Sequence, residues 1–385
     1  MEKSDNRILT THVGSLPRVP ALRELLKERE KSSQEISSEL RDLIENAVSM
    51  AVDKQLESGI DIGNNGEQPR VGFSTYVTAR MEGFGGESPR PESLDLKEYP
   101  DYRELLKNKR RTSSRINVTA TARAAIKYND LSEAADECDQ FLRLTAEKAK
   151  SFTEQFMTAA SPGIIATTMM NKHYDSHENY LSALAQEMRK EYELIHSRGL
   201  LLQLDCPDLA MERSRFFQDL TLKEFQNRVE LHIDAINQAI QNIPKERIRL
   251  HVCWGNTDSP HVHDVPLKDI LPLLYKADVG ALSLELANPR HQHEYKLFKS
   301  HPLPPSMLLL PGIIDSTINY VEHPQVVADR ICQVVDSVGD RSRVIASTDC
   351  GFGTFSGSEA VAATVVWSKL GALTEGAAIA SKQLW

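Results

Sequence analysis

His251 and Cys253 stand two residues apart at the end of a short apolar run, Ile248–Val252. In a β-strand, side chains at i and i+2 project from the same face, so an imidazole and a thiol there can reach one point. Glu285 follows a second run of this kind, Gly280–Leu284, and Cys350 a third, Arg343–Ala346. If the three runs are strands of one sheet, one nitrogen, two sulfurs and one carboxylate converge. That donor set suits tetrahedral Zn²⁺, with ligand distances of about 2.0–2.3 Å, and its soft thiolates disfavour Mg²⁺ and Ca²⁺. H-x-C alone is weak evidence, because histidines and cysteines are often buried for packing; the competing reading is an ordinary core. The register of Glu285 and Cys350 favours the metal. Cys138 and Cys332 fall in helical patterns and read as core residues, and Cys206 alternates away from Asp205 and reads as structural.

For these residues to meet, the chain must bring strand ends together. Eight short apolar runs qualify as strands: Arg7–Thr10, Gly59–Gly63, Gly163–Thr168, Leu200–Leu204, Ile248–Val252, Gly280–Leu284, Met307–Pro311 and Arg343–Ala346. Amphipathic stretches lie between most of them, including Glu39–Glu57, His177–Arg198, Leu222–Gln241 and His323–Val338, and a final helix is expected from Ser358 to about Leu373 before a small-residue tail. Apolar strands that alternate with helices signal a parallel sheet buried on both faces. Eight units favour α/β architecture as a single (β/α)₈ TIM barrel over residues 1–385, whose site lies at the C-terminal ends of the strands. No G-x-G-x-x-G follows the first strand, which disfavours a dinucleotide fold. Gly83–Arg115, rich in Gly, Pro and charge, reads as a long excursion after the second strand. Its basic cluster, Lys107 to Arg115, reads as a solvated face, with an anion clamp as the sharper alternative.

Composition bounds the class. The 385 residues are 41% hydrophobic and 26% charged, enough apolar material for a large core. The net charge of −9 disfavours a nucleic-acid or anionic-membrane partner. No stretch reaches the roughly 20 apolar residues of a membrane helix, and the start, MEKSDNRILTTHVGS, lacks a signal-peptide pattern, so a cytoplasmic location is expected. Five cysteines, odd in number and widely spaced, suit reduced thiols or metal ligands.

The motifs Thr10-Thr11-His12-Val13-Gly14-Ser15-Leu16-Pro17-Arg18, Gly66-Glu67, Leu204-Asp205, His251-Val252-Cys253, Leu284-Glu285 and Asp349-Cys350-Gly351 run in order along almost the whole chain. In this the chain resembles the catalytic C-terminal barrel of the cobalamin-independent methionine synthases and their single-barrel relatives, the epoxyalkane:coenzyme M transferases. The resemblance implies Zn²⁺ bound by His251, Cys253, Glu285 and Cys350, with a substrate thiol joining the metal. It also implies that Ser15, Glu67 and Asp205 hold the amino-acid part of homocysteine. Two carboxylates suit an ammonium group; the alternatives are a salt bridge from Glu67 to Arg70 or Arg80 and a helix cap at Asp205. Asp315 matches an acid of the family that orients groups or relays a proton.

Three departures bear on the alkyl donor. There is one barrel's worth of residues, no Trp in Thr168–His173, and no His directly after Asp315. They weigh against methyl-folate and leave a methyl-corrinoid protein or an epoxide as the electrophile, without touching the zinc–thiol half. The leading expectation is methyl transfer to homocysteine, giving methionine. Opening of an epoxide by a thiol such as coenzyme M would call for a cation near the metal, from Arg18, Arg70 or Arg290. A non-catalytic zinc- or thiol-binding barrel acting as a sensor or partner subunit is the reading from another class. His261-Val262-His263 and His291-Gln292-His293 read as surface residues, with a second site as the alternative, and Trp254 as a packing residue that could wall the pocket.

Overall fold

The computed structural model describes residues 1–32, 37–109, 118–357 and 359–385. Its strands are β1 (Leu9–Thr10), β2 (Ile62–Gly63), β3 (Glu82–Pro89), β4 (Val118–Lys127), β5 (Glu154–Ala160), β6 (Leu201–Asp205), β7 (Ile248–Val252), β8 (Ala281–Leu284), β9 (Leu308–Ile314) and β10 (Ile345–Thr348). Eight of them form one parallel sheet in the order β1-β10-β9-β8-β7-β6-β5-β2. A parallel bridge from Thr11 to Ile62 joins the two end strands, so the sheet closes into a (β/α)₈ barrel.

Alternation along the strands fills the barrel in layers. Leu9, Ile62, Phe156, Leu201, Ala281, Leu308, Leu310 and Ile345 make an apolar plug. The next layer is polar. The Arg249 guanidinium lies 4.1 Å over the Phe156 ring and donates to Thr11 Oγ1 and to the His12 carbonyl. Gln203 Nε2 donates to the Val13 carbonyl and to Asp205 Oδ1. Above it stand the strand ends, level with one another: Asp205 pairs with His251, His251 with Ser283, and Val252 with Leu284. Strict alternation from Ile345 and Ser347 would send Asp349 inward and Cys350 outward. A register shift at Ser347/Thr348 breaks the alternation just before Cys350, the usual way a bulge re-aims a side chain.

Three expectations are corrected. Gly163–Thr168 is not a strand: Pro162–Thr168 is a helix whose cap, Ser161, accepts from the Ile164 N–H, and the third barrel strand is β5. Its Ile and Thr residues imitate a strand, but Ser-Pro is a helix start, with a side-chain cap followed by a residue that has no N–H to satisfy. The C-terminal helix runs Ala363–Leu384 and includes the tail, whose alanines favour helix. The excursion is also structured: β3 and β4 pair antiparallel as a hairpin, with helices Leu94–Glu98 and Pro100–Lys109 between them. The side chains of the basic cluster Lys107 to Arg115 lie outside the described residues.

The excursion folds over the C-terminal mouth of the barrel. Asp95 accepts from the backbone N–H groups of His261 and Val262, and the Tyr102 hydroxyl donates to Asp258, all beyond β7. Gln218, beyond β6, donates to the Glu92 carbonyl. Cys138 and Cys206 are buried as expected, whereas Cys332 is half-buried, with its Sγ 3.3 Å from Gln383 Oε1. Among the described residues, no helix is long and apolar enough to cross a membrane.

Candidate functional site

At the barrel mouth the ligand atoms of His251, Cys253 and Cys350 all lie within 4.8 Å of one another, and all three residues are buried. Neither ring nitrogen of His251 has a hydrogen-bond partner. Burial, with the Arg249 charge behind it, lowers the His251 pKa to about 3, so the imidazole is neutral and keeps a free lone pair. Cys253 is pushed well above the ordinary thiol range by its hydrogen bond to Cys350, by burial and by the Cys350 charge. Two buried thiols this close cannot both ionise unaided; a divalent cation reverses that balance. An orphaned imidazole beside two such thiols fits a zinc ion.

Glu285 stands next to this trio and is not one of the atoms inside the 4.8 Å group. Its Oε1 accepts from the Trp254 N–H at 3.3 Å and its Oε2 from Asn288 Nδ2 at 2.9 Å. Burial, then the charges of Cys253 and Asp349, raise its pKa well above the carboxylate range. Asp349, directly before Cys350, accepts from the backbone N–H groups of Leu286, Ala287 and Asn288 and so ties the Glu285 loop to the Cys350 loop. Burial and the nearby Asp315 charge raise its pKa to about 7 against those donors.

A cleft opens onto the cluster and is lined by Ser15, Glu67, Asp205, His251, Cys253 and Cys350. Glu67 sits in left-handed backbone, φ +53°, a conformation that costs a non-glycine residue energy unless its surroundings hold it. They do: Asn65 Oδ1 accepts from its N–H, and Arg18 donates to its carbonyl. Thr158 Oγ1 donates to its Oε1, while its Oε2 is buried without a partner. The expected alternative for Glu67 does not apply, because Arg70 and Arg80 bond Glu137 instead. Asp205 caps no helix; it accepts from Gln203. Burial raises the pKa of both carboxyls, helped at Asp205 by the charge of Glu67. A cationic group placed between them would meet the unsatisfied oxygen and relieve the repulsion. Ser15 links this end to the cluster: its carbonyl accepts from the Phe352 N–H at 2.7 Å and its hydroxyl from the Gly353 N–H at 3.3 Å.

Asp315 is not in this cleft. With Glu285 and Asp349 it lines a neighbouring cleft, and Gly255, Asn256 and Thr257 border both spaces. Its Oδ1 accepts from the N–H and hydroxyl of Thr317. Of the cations considered for a sulfonate, Arg18 donates to the Gly353 and Glu67 carbonyls, Arg70 is bound to Glu137 and Thr158, and Arg290 lines the neighbouring cleft. The sequence reading missed Arg90 and Arg215, which line the first cleft from the excursion and from the segment after β6. Pro89-Arg90-Pro91, one cation held between two conformationally restricted prolines, was the available signal.

The paired histidines need a correction. His291 is buried, not on the surface. Its Nε2 is 3.0 Å from Asp264 and its Nδ1 2.8 Å from Glu294, and its ring stacks on Trp254 with centroids 4.0 Å apart. His261 joins the same Asp264 at 2.9 Å. These groups support Trp254, the neighbour of Cys253, from behind.

No family model matches the chain. It is 24% identical over 344 residues, 89% of this chain and 85% of the other, to a methionine synthase of Sulfurisphaera tokodaii. It is 25% identical over 238 residues, 55% of this chain and 57% of the other, to a 2-hydroxypropyl-CoM lyase of Xanthobacter autotrophicus. The structure superposes on a B12-independent methionine synthase from Shewanella sp. W3-18-1, solved in complex with selenomethionine, with a TM-score of 0.71 at 20% identity, covering 98% of this chain and 99% of that one. These likenesses agree with the resemblance carried by the motifs, and the structural one with the barrel fold.

Proposed function

We propose that this chain is a zinc-dependent S-alkyltransferase that places a methyl group on the thiol of homocysteine. The observation that carries the reading is the opening of the His251–Cys253–Cys350 cluster into the same cleft as Glu67 and Asp205. His251, Cys253 and Cys350 would hold the zinc, with Glu285 as the exchangeable fourth ligand. Zinc, when bound, keeps a substrate sulfur as a nucleophilic thiolate at neutral pH. Glu67 and Asp205 bind the ammonium group of the amino acid, and so fix the sulfur at the cluster. Ser15 orients the same end of the substrate. Asp315, across the Gly255–Thr257 segment, orients groups on the side of Glu285. The methionine synthase of Sulfurisphaera tokodaii, similar over most of both chains, supports homocysteine as acceptor.

Epoxide opening by coenzyme M is the second reading, favoured by the likeness to the Xanthobacter autotrophicus lyase. A sulfonate would meet two carboxylates where an ammonium meets none of its own sign, and Arg18 and Arg70 are already engaged. A non-catalytic barrel fits less well, because a closed structural site has no use for a cleft leading to its ligands.

The test is a panel. Homocysteine and coenzyme M are each incubated with methyl-folate, a methyl-corrinoid and an epoxide, and products are read by mass spectrometry. Methionine from at least one methyl donor is expected; products from coenzyme M alone would overturn the assignment.

A further inference from the structure

The thiol's place is set by strand ends, whereas the outer cleft is built by loops. For carbon to transfer to a zinc-bound sulfur, the electrophile must approach the lone pair directed away from the metal. The cleft that reaches the cluster is also lined by the excursion. There the cleft meets Arg90, from the turn after β3, and Arg215, from the segment after β6. The Arg90 side chain is only 6% exposed. It is fixed by an ion pair from one terminal nitrogen to Glu212, which is itself fully buried and accepts from the Phe216 N–H. Arg90 Nε–H has no acceptor. A guanidinium presents five N–H donors in a rigid fork that matches planar or tetrahedral oxyanions, and a buried donor left unpaired is costly. Phe73 and Phe355, edge to face at 5.5 Å, flank the same opening and offer apolar surface to the rest of the molecule.

We propose that Arg90, with Arg215 on the same cleft, forms an anion subsite that engages an acidic group, carboxylate or phosphate, on the alkyl donor. Assigning the subsite to the donor rests on the thiol-alkylation reading above. Arg90 comes from the excursion and Arg215 from the segment after β6, so the excursion supplies one half of what selects the donor.

The zinc-loaded full chain, saturated with homocysteine, is titrated calorimetrically with glutarate as the carboxylate probe and with inorganic phosphate. One-to-one binding of at least one probe is expected. Arg90→Gln should weaken it about tenfold or more, the loss of a charge-assisted hydrogen bond, and Arg90→Lys should recover part. The probe that binds identifies the acidic group. Arg90→Gln strands Glu212, so the double variant Arg90→Gln/Glu212→Gln removes the pair together, and a melting curve verifies its fold. Binding of neither probe, or binding that both variants leave intact, overturns the subsite. If homocysteine affinity falls by the same factor as probe affinity, Arg90 reads the thiol's own carboxylate and the assignment to the donor is wrong. Probe binding by a chain that does not bind homocysteine at all would defeat the thiol reading while the subsite stands.

Discussion

A buried histidine normally spends at least one ring nitrogen on a neighbour, and His251 spends neither. Together with Cys253 and Cys350 it has the chemistry of a ligand set before any ion is considered. Cys253→Ser and Cys350→Ser should each abolish stoichiometric zinc while the far-UV circular dichroism stays that of a folded barrel. Full zinc retention in either variant would defeat the ligand assignment. Glu67 is the second residue with an unmet demand. Glu67→Gln should raise the KM for homocysteine by an amount corresponding to about 2 kcal/mol, the loss of a charged hydrogen bond, with zinc content unchanged. A KM that does not move would place the amino-acid end elsewhere. At this scale i, i+2 spacing pointed to the His251–Cys253 pair, because it fixes which side chains of a strand share a face; Cys350 joins them only through the register shift at Ser347/Thr348, which no spacing reveals. Glu285 was harder, since its hydrogen bonds to Trp254 and Asn288 come from loops whose path no periodicity reveals. The separation of Asp315 from the first cleft was hidden for the same reason.

The elements that position these residues are the strand ends and the loops stapled across them. Arg18 is the principal staple. It grips the Glu67 carbonyl at 2.6 Å and the Gly353 carbonyl at 2.5 Å, and so joins the loop that carries Glu67 to the loop that carries Cys350. Arg18→Met should cost about 2–4 kcal/mol in stability through the two carbonyls left unpaired. It should also raise the homocysteine KM with zinc content kept, because Glu67 loses its support in left-handed backbone. Destabilisation with an unaltered KM would reduce Arg18 to a packing role. Seven of the eight barrel strands were visible as short apolar runs between amphipathic helices. The third was misplaced because β5 is framed by polar residues at Glu154 and Gln155, while the Ile-Ile-Ala-Thr-Thr helix that follows it has a strand-like composition. The Ser161-Pro162 start outweighed that composition, as local capping often does.

Over the whole molecule, closure of the barrel brings together His251, Cys253 and Cys350 across about a hundred residues of sequence, and the excursion covers the place where they meet. The hairpin and helices of the excursion were read as a loop because Gly- and Pro-rich sequence carries little periodic signal; its tertiary bonds to the segments after β6 and β7 order it instead. One of those segments rests on the His291 cluster, which gives the molecule a pH-dependent brace. Against burial, Asp264 and Glu294 raise the His291 pKa from 6.5 to about 9. A raised pKa means the stabilisation is complete below pH 6.5 and is lost as pH rises towards 9. The stability difference between the wild type and His291→Gln should therefore shrink over that interval in urea titrations of the metal-free chain. A constant difference would remove the brace. The central claim, that three buried side chains and one carboxylate hold a zinc open to thiols, is tested most directly by zinc K-edge absorption with and without homocysteine. The account predicts two sulfur neighbours in the resting protein and a third on adding the thiol. Fewer than two sulfurs at rest, or a shell that homocysteine leaves unchanged, would contradict it.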